Sequence, residues 1–123
     1  MLAVTQPEDL EQVTHLLHDL WFSVEDIFHD NERATWRVFL ADVNRRFAVS
    51  HSSCRGHPGA HTLVVEHVES VVIEDTEQIR WYDVHSVVYD ARTRRLTLVT
   101  NIPLRIDITV ARLCVRVFAG ACD

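Results

Sequence analysis

An α+β fold dominated by antiparallel sheet is predicted for this chain of 123 residues. The expected form is an N-terminal amphipathic helix packed on a curled sheet of about six to eight strands, with a partly closed barrel as the limit of the curl. Three features predict it. Apolar residues near the N-terminus recur at helical spacing. Apolar and polar residues alternate through most of the remainder, which is the period of a strand. And a segment beginning at Trp21 reappears, ungapped, 60 residues later.

In that echo, Trp21-Phe22-Ser23-Val24-Glu25-Asp26-Ile27-Phe28-His29-Asp30 lines up with Trp81-Tyr82-Asp83-Val84-His85-Ser86-Val87-Val88-Tyr89-Asp90. The match continues into Trp36-Arg37-Val38-Phe39 against Leu96-Thr97-Leu98-Val99. Identities are few, and the shared apolar pattern is the stronger signal. An internal duplication produces it. So does convergence of two unrelated hairpins, since each must alternate and then turn.

The helix is expected over residues 6–20. Thr5-Gln6-Pro7-Glu8 has the form of a capping box, and Pro7 is tolerated in a first turn. Leu10, Val13, Leu16, Leu17 and Leu20 then form one apolar stripe. Glu8, Asp9 and Glu11 sit where the helix dipole favours acids. A first hairpin follows over 21–42, with a connection at 30–34 that pairs Phe28 with Trp36 and Val24 with Leu40. That register gathers Phe22, Val24, Phe28, Trp36, Val38 and Leu40 on one face. Residues 44–61 break the pattern and read as a loop. Strands resume over 62–74.

A second hairpin over 81–102 is expected in the matching register, Val88 opposite Leu96. It collects Tyr82, Val84, Val88, Leu96, Leu98 and Ile102. Asp30 and Asp90 open the two turns, where a carboxylate can accept from amides two residues on. The opposite face carries Trp21, Ile27, Phe39, Trp81, Val87 and Val99, so both faces need cover, and a second subunit is one source of it. Last come strands over 104–118. Leu104, Ile106, Ile108 and Val110 are in one phase and Leu113, Val115 and Val117 in the other, which places a bulge, kink or turn near Ala111–Arg112. All of this fits a single domain, 1–123.

Composition narrows the classes of function. The formal charge is −6. It is concentrated in residues 1–42, which hold nine acids against two arginines. No strong basic field exists, which argues against nucleic acid as a partner. All twelve basic residues are arginine, which points to a GC-rich bacterial source. Three cysteines cannot complete an intrachain disulfide framework. No secretory leader is visible and no apolar run approaches a bilayer span, so a cytoplasmic protein with reduced thiols and no membrane partner is expected.

Chemistry has few places to reside. His51-x2-Cys54-x2-His57-x3-His61 supplies zinc's preferred donors within one short loop, although the spacing follows no established zinc motif. The same four residues also fit a His-rich surface loop. Glu11, His15 and His18 stand at helical spacing beside Asp19, as a metal edge or as a solvent face. Asp26 and Ser86 occupy matching positions on the expected core faces, and a buried carboxyl there could act as a general acid or base or simply bond its neighbours. Glu25, Asp83 and His85 read as the solvated side. Cys54 is a candidate thiol beside two imidazoles, Cys114 reads as a packing residue and Cys122 lies in the tail. No G-x-S-x-G elbow and no glycine-rich phosphate loop is present.

The leading expectation is therefore a non-enzymatic module that binds a protein partner or itself, as a homo-oligomer, with no resident cofactor. The alternatives are a zinc-type domain using His51, Cys54, His57 and His61, and a small-molecule binder or enzyme with a pocket near Asp26.

Overall fold

In the computed structural model, which describes residues 1–42 and 60–119, strands predominate. They are β1 (Leu2–Val4), β2 (Trp21–Ser23), β3 (Ile27–Asp30), β4 (Thr35–Ala41), β5 (Ala60–Val65), β6 (Val68–Glu74), β7 (Trp81–Asp90), β8 (Arg95–Thr100), β9 (Arg105–Val110) and β10 (Val115–Ala119). One helix, α1 (Leu10–Leu17), follows a 3-10 turn at Pro7–Asp9. Every pairing is antiparallel, in the order β1-β10-β5-β4-β2-β7-β8-β9-β6, with β3 alongside β4. The sheet is curled but open, ending at β1 and β6. The α+β reading therefore holds, and the barrel limit is not reached. Ten strands form among the described residues, more than expected. β1 is too short to show a period, and a 3-10 turn splits the first arm of hairpin one into β2 and β3.

The echo has a structural counterpart. Trp21 pairs with Asp83, Phe22 with Tyr82 and Ser23 with Trp81. Shifting by 60 residues exchanges the outer two pairs and returns the middle one to itself, so a local two-fold axis passes between Phe22 and Tyr82. Their rings lie 6.1 Å apart, and both residues are buried. Reading outward from this junction gives β4, β5 and β10 on one side and β8, β9 and β6 on the other. The order is palindromic, but the fourth strand of each half is exchanged. β6 follows β5 in the chain yet pairs with β9, and β10 follows β9 yet pairs with β5. The crossing segments bond to each other, Glu66 N to Cys114 O at 2.9 Å and Ala111 N to His67 O at 2.8 Å. His67 takes φ 57° at its crossing. The phase slip expected near Ala111–Arg112 is the other crossing.

Both hairpin registers differ from expectation by one residue, in the same direction. Phe28 opposes Arg37, not Trp36, and Val88 opposes Thr97, not Leu96. Each loop has four residues, 31–34 and 91–94, and ends on a left-handed residue, Ala34 at φ 52° and Arg94 at φ 56°. Neither is glycine, so the sequence carries no mark of it. Asp30 and Asp90 do open the turns: Asp30 Oδ1 accepts from Glu32 N at 3.0 Å, and Asp90 Oδ1 from Arg92 N at 2.9 Å.

A second correction concerns the faces. The even-numbered set is buried at Phe22, Trp36, Val38, Leu40, Tyr82, Val84, Leu96 and Leu98. Phe28 and Val88, however, point outward, 37% and 48% exposed. The phase turns over between, at the 3-10 turn Val24–Asp26 in one repeat and at a bulge between Val84 and Ser86 in the other. One added residue on a strand sends every later side chain to the other face. Ile27 and Val87 consequently pack on the core. The Val24–Leu40 pairing is also absent, because Val24 lies within the 3-10 turn.

The helix is shorter than 6–20, and the Thr5–Glu8 capping box does not form: Gln6 is the N-cap of the 3-10 turn and gives no side-chain bond. Leu10, Val13, Leu17 and Leu20 are buried as their spacing predicts, whereas Leu16 is 41% exposed. Thr14 Oγ1 accepts from Val87 N at 3.0 Å and so ties α1 to β7 at the bulge. One core joins helix and both half-sheets, with Trp36, Tyr82, Phe22, Leu17 and Ile106 among its fully buried members. Burying each such side chain contributes about 1.5–3 kcal/mol.

Candidate interaction edge

The two ends of the palindrome are not alike. The outer edge of β10 is occupied by β1, with Leu2 opposite Val117, Ala3 opposite Arg116 and Val4 opposite Val115. β6 holds the equivalent place in the other half. The equivalence follows from register: Trp36 pairs with Val65 and Val65 with Val115, while Leu96 pairs with Ile108 and Ile108 with Val71. Val71, Val72 and Ile73 thus correspond to Val115, Arg116 and Val117. Among the described residues, no strand lies against their outer edge.

This edge spans seven residues, with an apolar stretch Val71–Ile73 that follows a register shift between Val68 and Ser70. Val72 is 47% exposed and Ile73 39%. Val71 and Ile73 oppose Ile108 and Ile106 and continue the core face, while Ser70, Val72 and Glu74 share the outer face with Thr109, Asp107 and Arg105. A protected edge carries a charged side chain, a proline, an inward charge or a bulge. β6 has none between Ser70 and Ile73. Its two flanking acids are engaged within the molecule, Glu69 by Arg94 at 3.4 Å and Glu74 by Arg105 at 3.9 Å. Neighbouring Asp107 is similarly satisfied. Burial alone would raise its carboxyl, but the Thr97 hydroxyl at 2.7 Å and the Arg105 guanidinium outweigh that and hold its pKa below the ordinary value.

A second surface feature is a groove of about 520 Å³ on the outer face of the first half, lined by Phe28, Arg37, Val64, Glu66 and Arg116. Its charges are largely matched. Arg116 reaches Glu66 at 2.8 Å, and the Arg37 guanidinium lies 5.4 Å from the Phe28 ring centre and 5.7 Å from that of Phe39. Glu66 also accepts from the Cys114 thiol at 3.0 Å. Burial, reinforced by that carboxylate, pushes the thiol pKa up. Cys114 is a free thiol whose raised pKa disfavours the reactive thiolate.

The residues singled out for chemistry are dispersed. Of the zinc candidates, His51, Cys54 and His57 lie outside the described residues, as does Cys122; His61 is half-buried on β5. Glu11, His15 and His18 line one surface depression with Thr14 on α1, and His18 Nδ1 lies 3.1 Å from Asp19 Oδ2. Among the described residues, no group of three or more His, Cys, Asp or Glu side chains is placed to hold a metal ion.

Asp26 is buried, 2% exposed, and does local work. Its Oδ2 accepts from Ser23 N at 3.0 Å while Ser23 Oγ accepts from Glu25 N at 3.3 Å, a capping box on the 3-10 turn. Ser86 is half-buried and lies 3.1 Å from the Nδ1 of exposed His85. Glu25 faces Arg80 at 3.7 Å, and Asp83 Oδ2 accepts from the Asn101 amide at 2.9 Å. No helix among the described residues is long and apolar enough to cross a membrane. Comparison with protein-family models, curated proteins and solved structures gives no match.

Proposed function

We propose that this chain is a non-enzymatic interaction module that takes up an extended segment, from a protein partner or from another copy of itself, as an added strand at the outer edge of β6. The observation that carries the proposal is the inequality of two equivalent edges. β10 has its outer edge satisfied by β1, whereas Val71, Val72 and Ile73 present the same backbone groups to no described strand. Strand addition supplies main-chain hydrogen bonds for affinity and alternate side chains for selectivity. The arginine-only basic composition and the free Cys114 thiol fit a bacterial, cytoplasmic setting.

A peptide of the β6 sequence, Val68–Glu74, offered to the intact isotope-labelled protein in dilute solution tests the reading. Amide shift changes are expected at Val71–Ile73 and their β9 neighbours. Changes confined to the exposed side of α1, around His15 and Leu16, or none at saturating peptide, would contradict it.

A further inference from the structure

Resting on the strand-addition reading, we infer that the occupant of the β6 edge is β6 of a second copy, paired antiparallel about a two-fold axis at Val72. Three observations select it. A two-fold perpendicular to the sheet keeps core face with core face, so it extends the shared core across the junction. Centring on Val72 sets Val71 against Ile73 of the second copy on the core side, and Val72 against Val72 on the outer side. Ser70 then meets Glu74, and Glu69 falls opposite Asp75, one residue past the strand, whose carboxylate is already held by the Tyr82 hydroxyl and Gln78 N. In a register one pair away, centred on Val71, exposed Ile73 would meet Glu69. Finally, Glu69 and Glu74 already have arginine partners within their own chain, so the strip between them is left neutral and apolar.

The other free end of the sheet fits less well. β1 offers only the three residues Leu2–Val4, against seven in β6. Pairing β6 with the β1 edge of another copy would also leave both remaining ends open, and the contact would repeat from copy to copy. Pairing β6 with β6 closes in one step.

The two-fold gives the proposal a specific test, because residue 72 meets itself. Cross-strand neighbours lie about 4.5–5.5 Å apart at Cβ, so like charges repel there and opposite charges attract. Val72 is half exposed on the outer face, opposite Asp107, so the charge introduced by Val72→Lys or Val72→Glu is borne outside the core; unchanged circular dichroism and thermal midpoint in dilute solution confirm folding of each. By light scattering, the wild-type chain is expected as a dimer, each variant alone as a monomer, and an equimolar mixture of the two variants as a heterodimer with at least a tenfold gain in association over either alone.

A wild-type dimer that persists in both variants would overturn this inference and the edge reading together. A wild-type monomer at all concentrations, with β6 peptide still shifting Val71–Ile73, would overturn the second copy as occupant and leave strand addition standing. Open-ended polymers dissolved by Val72→Lys would overturn the closed pairing in favour of β6 on β1.

Discussion

Replacing Tyr82 by Phe removes one hydroxyl from the point where the two repeats meet, and makes that point symmetric, since Phe22 already stands opposite. Tyr82 is fully buried. Its hydroxyl donates to Asp75 Oδ1 and accepts from Ile79 N at 3.1 Å, which fastens the segment between β6 and β7. Ring packing is conserved in the variant, so the loss is that of a hydrogen bond to a charged acceptor. Such a bond contributes about 1.5–3 kcal/mol, and a fall of about 2 kcal/mol near neutral pH is expected. The effect carries a pH signature. Burial, reinforced by the Asp75 carboxylate, pushes the phenol from 10.0 up to about 12. The folded state therefore holds this proton more tightly than the unfolded chain does. The stabilisation is fully present below pH 10.0 and is lost as pH rises through about 12. Urea unfolding followed by tryptophan fluorescence, repeated at several pH values across that window, should show the gap between wild type and Tyr82→Phe closing as pH increases. Equal stabilities at neutral pH, within about 0.3 kcal/mol, or a gap that widens with pH, would refute the assigned bond.

Two further substitutions test the supports of the sheet. Asp26→Ala removes the cap on the 3-10 turn that flips the phase of the first repeat, and should cost about 1–2 kcal/mol by denaturant midpoint; an unchanged midpoint would place the carboxyl in solvent. Asp107→Asn should cost about 1–2 kcal/mol at neutral pH. Because the Asp107 carboxyl is held below its ordinary value, its contribution is present above the unfolded pKa and disappears as pH falls through the folded one. Acid unfolding curves of wild type and variant should therefore converge at low pH, and curves that stay parallel would contradict the ion pair.

Much of this architecture was legible because faces are written in the sequence. The spacing of Leu10, Val13, Leu16, Leu17 and Leu20 marked the helix, although Leu16 is exposed and Leu20 lies past its end, and the slip between Ile106, Ile108, Val110 and Val115, Val117 marked a bulge, kink or turn that proves to be a crossing. The echo marked the two hairpins. Neighbours are a different matter. Periodicity reports which side a residue faces, not which strand lies beside it, so neither the exchange of β6 and β10 nor the cover of β10 by β1 could be read. Register failed for a local reason: Ala34 and Arg94 take the left-handed conformation without glycine, and loop length then misleads by one. The outward turn of Phe28 and Val88 depends on a 3-10 turn and a bulge that share only the valine at 24 and 84, a residue type that announces neither. The apolar run Val71-Val72-Ile73 was legible only as strand, and its place at an edge became evident only once β6 proved to be the last strand.

The central claim is that β6 is an edge built to be paired. Amide hydrogen exchange at Val71, Val72 and Ile73, set beside Val115, Arg116 and Val117, tests it most directly. As concentration rises, the β6 amides that point away from β9 should pass from fast exchange to protection matching β10, together with a doubling of the particle mass. Exchange that is already slow in the dilute monomer would mean that the edge is covered within the chain, and would contradict the account.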